Sequence, residues 1–200
     1  MNPVFLNKND IESGLRRLGE IALLDNKLID IAVYGGSALV IAWDSRVSTR
    51  DVDAIVAGDA GFVRKATAQV AEENGWPADW LNDGVKGFIS DRQEMMAHGV
   101  YPSIDSPGLR VYVPTAEYML AMKCMAMRIG GADSSRDVED IKFLVGECGL
   151  KKAEDVIAIV EKFYPQCLIQ PKVAFGIEEI FEGMKSERKT EPSTPRPKDR

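Results

Sequence analysis

The sequence predicts a mixed α/β fold, α/β or α+β in class: a small mixed sheet flanked by helices, followed by a helical C-terminal region. Three observations predict it. Short apolar runs at Ile29–Tyr34, Val52–Val56 and Leu109–Val113 have strand length and end at glycine or proline punctuation. Between and after them lie longer segments whose apolar residues recur at three- and four-residue spacing. The chain has 200 residues, 45% of them hydrophobic, enough for one good core and a small appendage.

Taken in order, Asn9 or Asp10 is positioned to cap a helix running to about Leu24, with Ile11, Leu15, Leu18, Ile21 and Leu24 on one stripe. The strand at Ile29–Tyr34 ends in Gly35-Gly36-Ser37, and Ala38–Trp43 reads as a short helix. After the strand at Val52–Val56, Gly58-Asp59 turns the chain into a helix near Ala60–Glu73, broken by Gly75-Trp76-Pro77. Trp76, Trp80 and Leu81 read as partly buried anchors, Gly87–Ser90 as a short strand and Gly99–Gly108 as loop. Pro114 stops the strand at Leu109–Val113, and Thr115 caps a helix to about Ile129, where Gly130-Gly131 breaks it. Arg136–Cys148, Ala153–Phe163 and Val173–Met184 are three further amphipathic helices. Lys185–Arg200, with three prolines, few apolar groups and alternating charge, is expected to be disordered. The expected organisation is a core at 1–113, a helical region packed on it at 114–184 and a tail at 185–200.

Composition narrows function. A net charge of −6 leaves no global basic field for gripping long nucleic acid. Cys124, Cys148 and Cys167 are odd in number and lack metal-type spacing, as expected of reduced thiols in a cytoplasmic protein. The N-terminus lacks a basic, apolar leader pattern, and no apolar run approaches membrane-spanning length. His98 is the single histidine, so a zinc cluster built on histidines is excluded; the residue reads as surface or structural. No Gly-x-Ser-x-Gly elbow occurs, and Gly35-Gly36 lacks the third glycine of a dinucleotide-binding turn.

The chemistry concentrates in residues 34–56. Strand alternation puts Asp51 and Asp53 on one face while Val52, Ala54 and Val56 point into the core. Two carboxylates about 7 Å apart, at roughly 3.3 Å per residue, repel each other unless a cation sits near both. All-oxygen pairs of this kind suit Mg²⁺, which keeps waters and substrate phosphates as its other ligands. A Gly-Gly-Ser turn at the end of a strand presents backbone N–H groups, the donors that cradle phosphate. Gly35, Gly36, Ser37, Asp51 and Asp53 therefore read together as a metal–triphosphate site. Arg46 and Arg50 flank the acid pair and suit either a triphosphate contact or a solvated loop.

A second cluster lies downstream. Lys123 has Met119, Leu120, Ala126 and Met127 three and four residues away, so its own helix face is apolar. Its ammonium either snorkels to water or is held at the cleft edge to meet phosphate charge or donate a proton. Asp137 and Asp140 border the apolar stripe of the next helix; Asp140 is placed to pair with Lys123 or to face a nucleotide. Asp137, near the expected helix start, is equally accounted for by the helix dipole.

The order Gly36-Ser37, thirteen residues, then Asp51-Val52-Asp53 resembles the signature of the nucleotidyltransferase superfamily related to DNA polymerase β. Gly-Gly-Ser-Ala-Leu, Ser48-Thr49-Arg50-Asp51-Val52-Asp53 and the downstream Lys123, Arg128, Arg136-Asp137 and Asp140 are similar to a small prokaryotic branch that includes abortive-infection toxin nucleotidyltransferases. The resemblance spans roughly residues 15–148. It implies Mg²⁺ (or Mn²⁺) held by Asp51 and Asp53, and catalytic roles for Asp51, Asp53 and Lys123. It further implies a nucleoside triphosphate bound by Gly35, Gly36, Ser37, Arg50 and Asp140. An RNA, protein or small-molecule acceptor is implied, with a toxin–antitoxin or phage-defence setting and a cognate antitoxin as partner; no membrane partner is expected, because no apolar run is long enough to span one. A non-catalytic nucleotide- or partner-binding relative is the alternative. Many superfamily members carry a third carboxylate on a later strand; here Asp83, Asp91 and Asp105 are the candidates.

Overall fold

The computed structural model describes residues 4–128 and 132–190. Its order is β1 (Leu6–Asn7), α1 (Lys8–Leu24), β2 (Ile29–Val33), α2 (Gly35–Trp43), β3 (Ser48–Thr49), β4 (Val52–Ala57), α3 (Ala60–Asn74) and β5 (Leu81–Asn82). A 3-10 turn at Gly84–Phe88 leads to β6 (Met95–Pro102) and β7 (Pro107–Pro114). Then come α4 (Ala116–Ala126), α5 (Ala132–Glu147), α6 (Ala153–Phe163), a second 3-10 turn at Gln166–Leu168 and α7 (Pro171–Thr190). The mixed α/β class is as expected.

The main sheet has strand order β5-β4-β2-β7-β6. Central β2 runs antiparallel to β4, with Val33 opposite Ala54, and parallel to β7, with Ile31 opposite Val111. β5 is parallel to β4, β6 is antiparallel to β7, and β1 pairs with β3 as a separate two-stranded ribbon. Alternation divides the sheet's faces. Ile29, Ile31, Val33, Val52, Ala54, Leu109, Val111 and Val113 are buried. The opposite face is more open and carries the Asp30–Arg110 ion pair, with Nε to Oδ1 at 2.6 Å.

Helix α1 packs across β6 and β7 and against α3, while α4 touches β7 and gathers α5, α6 and α7 around it. The composition of α4 explains this central place: Tyr118, Met119, Leu120, Ala121, Met122 and Cys124 are all buried, so it is covered nearly all round. Thr115 caps α4 as expected, its Oγ1 accepting from the Tyr118 N–H at 3.3 Å.

Several boundaries differ from expectation. α1 is capped by Asn7 rather than Asn9 or Asp10. Asn7 Oδ1 accepts from the Asp10 N–H at 3.1 Å, while Asp10 Oδ2 accepts from the Asn7 N–H at 2.9 Å, a reciprocal capping box. Gly87–Ser90 is not a strand; Gly87 and Phe88 close the first 3-10 turn. Gly99–Gly108 is loop only at 103–106, since its two ends belong to the antiparallel hairpin of β6 and β7, with a register shift between Ala97 and Gly99. Trp80 is fully buried rather than partly, its indole N–H donating to the Thr67 carbonyl at 3.1 Å. α5 begins four residues earlier than Arg136, which moves Asp137 into its second turn. Helix α7 continues through Thr190, past the expected start of disorder at Lys185; residues 191–200 and the Gly130-Gly131 break lie outside the described residues.

Candidate active site

The expected phosphate turn is where β2 runs into α2. Tyr34, in extended backbone before α2, makes no side-chain cap, so the first-turn amides keep their donors for another partner. Gly35 sits at φ +62°, and a Cβ built on it would lie 2.4 Å from Asp53 Oδ2. Both the left-handed backbone and the contact distance demand glycine there. At Gly36 a Cβ would meet an Arg46 guanidinium nitrogen at 2.8 Å and Thr49 Oγ1 at 3.1 Å. The two glycines thus let the backbone approach an acid and a base within one turn.

β4 carries Asp53, and Asp51 stands in the bend just before the strand rather than within it. Asp53 shares its strand face with Ile55, opposite to buried Val52 and Ala54, and its backbone carbonyl accepts from the Tyr34 N–H at 2.8 Å. That bond ties the acid-bearing strand directly to the glycine turn. Asp51 and Asp53 line one cleft of about 870 Å³ together with Gly35, Gly36, Arg46 and Lys123. Burial foremost, and the Asp51 charge second, push the Asp53 carboxyl up from 3.8 to about 6, while Lys123 pulls the other way. Among the described residues no hydrogen bond reaches the Asp53 side chain, whereas Asp51 Oδ2 accepts from Asn82 Nδ2 at 2.8 Å.

The far wall comes from α4 and α5. Lys123 Nζ lies 2.6 Å from Asp140 Oδ2 and 3.8 Å from Asp137 Oδ1, and both aspartates are buried. Arg46, from the loop after α2, reaches across to Asp140 with both prongs of its fork, Nε to Oδ1 at 2.7 Å. Arg128 Nε donates to Asp137 Oδ2 at 3.2 Å. Lys123 is 12% exposed and its charge is compensated, which answers the snorkelling alternative: it is held in the cleft wall by two carboxylates.

Six of the expected site residues line the cleft with their neighbours: Gly35, Gly36, Arg50, Asp51, Asp53 and Lys123. Asp140 lines it too, paired with Lys123 and Arg46. Ser37 does not. Its hydroxyl is fully buried and donates to the Tyr34 carbonyl at 2.7 Å, so it braces the turn from inside. Of the third-acid candidates, Asp83 pairs with Lys86, Asp91 borders a different cavity and Asp105 is exposed beyond β6; none lines the cleft. The residue beside the acid pair is Asn82, paired in register with Asp53 on β5. Sequence reasoning did not single it out, although Asn82-Asp83-Gly84 carries a turn signal: Asn82 Oδ1 accepts from the Gly84 N–H at 2.8 Å.

Outside the cleft, His98 sits on β6 with its pKa lowered by burial. Cys124 is a buried core residue whose thiol burial pushes up to about 12, whereas Cys167 is exposed. No helix among the described residues is long and apolar enough to cross a membrane.

The residues present fit a divalent cation. Asp51 and Asp53 are an all-oxygen pair, one of them disfavoured in its ionised form by burial and by the other. Among the described residues no group of three His, Cys, Asp or Glu side chains gathers as a metal cage. A two-carboxylate site is the arrangement that leaves coordination positions for substrate phosphates.

A scan against protein-family models and searches of curated proteins and of solved structures found no match.

Proposed function

We propose that the protein is a nucleotidyltransferase that moves a nucleoside monophosphate from a nucleoside triphosphate to an acceptor hydroxyl. The observation that carries this is the convergence in one cleft of an acid pair, a glycine turn in van der Waals contact with it, and a buried lysine. Asp51 and Asp53 would hold Mg²⁺ (or Mn²⁺), which when bound neutralises charge on the triphosphate. The first-turn amides of α2 donate to phosphate oxygens, at the positive end of the helix. Lys123 faces the same anionic chain, aimed by Asp137 and Asp140, and Arg46 bridges from Gly36 to Asp140 on that wall. In the reaction the acceptor oxygen bonds to the α-phosphorus, the bond from that phosphorus to the bridging oxygen breaks, pyrophosphate leaves and the acceptor proton passes to water. The protein's part is orientation and fixed charge. The family resemblance adds an RNA or protein acceptor in a toxin–antitoxin or phage-defence setting.

A binding-only relative is favoured by one observation: an amide, Asn82, stands against Asp51 where a third acid would complete the site. The deciding experiment incubates the protein with each α-labelled nucleoside triphosphate, Mg²⁺ and total cellular RNA or protein. Label transfer that Asp53→Asn abolishes supports the transferase. Nucleotide binding by calorimetry without transfer to any acceptor supports the binding-only relative, and neither binding nor transfer defeats both.

A further inference from the structure

The cleft is chemically two-sided, and the second side specifies how the organic part of a nucleotide is held. The charged side consists of Gly35, Gly36, Arg46, Asp51, Asp53 and Lys123. Beyond Asp53 the lining continues along the 3-10 turn: a Cβ on Gly84 would lie 3.5 Å from Asp53 Oδ1, and Val85 and Phe88 follow on the same wall. That turn packs against α4, which contributes Met119, Met122 and Ala126 to the lining around Lys123. Val85, Met119 and Met122 are buried, whereas Phe88, which carries the one aromatic ring of this turn, is 41% exposed and borders both this cleft and the neighbouring cavity by Tyr164. The backbone beneath that ring is fixed independently of it, since the Phe88 carbonyl accepts from the Tyr164 hydroxyl. An exposed aromatic on a rigid turn over a buried apolar floor, contiguous with a phosphate-type site, has the chemistry of a base-stacking platform.

We propose that Phe88 is the stacking residue for the nucleobase of the bound nucleoside triphosphate, over a floor of Val85, Met119 and Met122. This rests on the reading of the charged side as a triphosphate site. Apart from Lys123, which is engaged by Asp137 and Asp140, the side chains that the 3-10 turn and α4 bring to this wall have no hydrogen-bonding group for a base edge. Recognition is therefore by ring face and size: all four bases are accepted, purines ahead of pyrimidines, because every base has a π-face but purines cover more of the platform.

The test is calorimetric titration of the full chain, with Mg²⁺, by two probes: non-hydrolysable α,β-methylene nucleoside triphosphates and inorganic tripolyphosphate. Stacking is worth about 1–3 kcal/mol per base on truncation, so Phe88→Ala is expected to weaken nucleotide binding about 5- to 150-fold. Tripolyphosphate affinity is expected to stay within about twofold, and Phe88→Trp to retain nucleotide affinity. Phe88→Leu keeps apolar volume without the ring and is expected to behave like Phe88→Ala, which serves if the alanine variant folds poorly. The four bases are expected to fall within roughly tenfold of one another, as edge-blind stacking requires. Unchanged nucleotide binding in Phe88→Ala with tripolyphosphate still bound overturns the stacking role alone. Equal loss of both probes makes Phe88 structural and overturns it as well. Failure of the unmodified protein to bind either probe removes the triphosphate site, and the stacking role with it.

Discussion

Replacing Asp53 with asparagine should make the protein more stable while ending its activity. The folded protein holds the Asp53 carboxyl at about 6 rather than 3.8, through burial and the neighbouring Asp51 charge. At about 1.36 kcal/mol per pH unit, this amounts to about 3 kcal/mol against the ionised form at neutral pH. Solvent reaching a partly open cleft reduces that, and about 1–2 kcal/mol is the expectation for the variant. Because the folded state holds this proton more tightly than the unfolded chain, the group's contribution is neutral below about pH 4 and becomes destabilising as pH rises to about 6. Above that it is constant. Asp53→Asn should therefore melt about 2–8 °C above the unmodified protein at pH 7.5, at 2–4 °C per kcal/mol for a chain of this size. The two should converge near pH 4. Scanning calorimetry across pH 4–8 reads both effects. Millimolar Mg²⁺ should raise the melting temperature of the unmodified protein more than that of the variant. A variant that melts lower, or whose gain does not depend on pH, would show that Asp53 has structural partners and refute the reasoning.

Further outcomes follow from the same geometry. Gly35→Ala must place a Cβ 2.4 Å from Asp53 Oδ2 at φ +62°; urea unfolding should show a loss of about 1–2 kcal/mol, with activity falling further because Asp53 moves. Asp140→Ala leaves Lys123 and Arg46 without their shared buried carboxylate and should cost about 3 kcal/mol by urea unfolding. The exposed Arg17–Glu73 pair, although well formed at 2.7 Å, is a control: Arg17→Ala should change stability by less than about 1 kcal/mol.

Legibility in the sequence followed the length and the burial of each element. α1 and α6 carry strong apolar periodicity, α3 a weaker one, and α4 is apolar nearly all round between a capping threonine and a glycine pair; their expected spans overlap the observed ones almost throughout. β2 alternates buried and half-buried residues over Ile29–Val33, which the apolar run already suggested. By contrast β1, β3 and β5 are two residues each, too short for any period, and their pairing depends on partners far along the chain. β6 is an edge strand with exposed residues on both faces and a register irregularity at Gly99, so no alternation marks it. In the site, the acid pair was legible because strand alternation at Asp51-Val52-Asp53 predicts a shared side; Asp51 in fact lies in the bend before β4, and both acids still line the cleft. Arg46 was not separable from a solvated loop arginine, because its partner Asp140 lies 94 residues away. Ser37 misled because a serine after two glycines has the chemistry of a phosphate ligand, and only packing shows its hydroxyl turned inward.

The costs of this fold collect in one place. Gly35 is held in left-handed backbone, two carboxylates share one partly buried face, and a lysine and an arginine converge on buried Asp140. Each departs from what stability alone favours: a residue with a side chain, a separated charge, an apolar wall. Elsewhere local preferences and packing agree, as in the reciprocal cap of α1 and the apolar body of α4. The departures also explain one another. Glycine at 35 permits the contact with Asp53, glycine at 36 admits Arg46, and Arg46 with Lys123 neutralises Asp140. What remains uncompensated by the chain is the Asp51–Asp53 pair, facing the open cleft beside unclaimed helix amides. A ligand that is cationic toward the acids and anionic toward the amides completes both at once. A metal-bound triphosphate has that polarity, whereas a free anion would meet the repulsion of both aspartates.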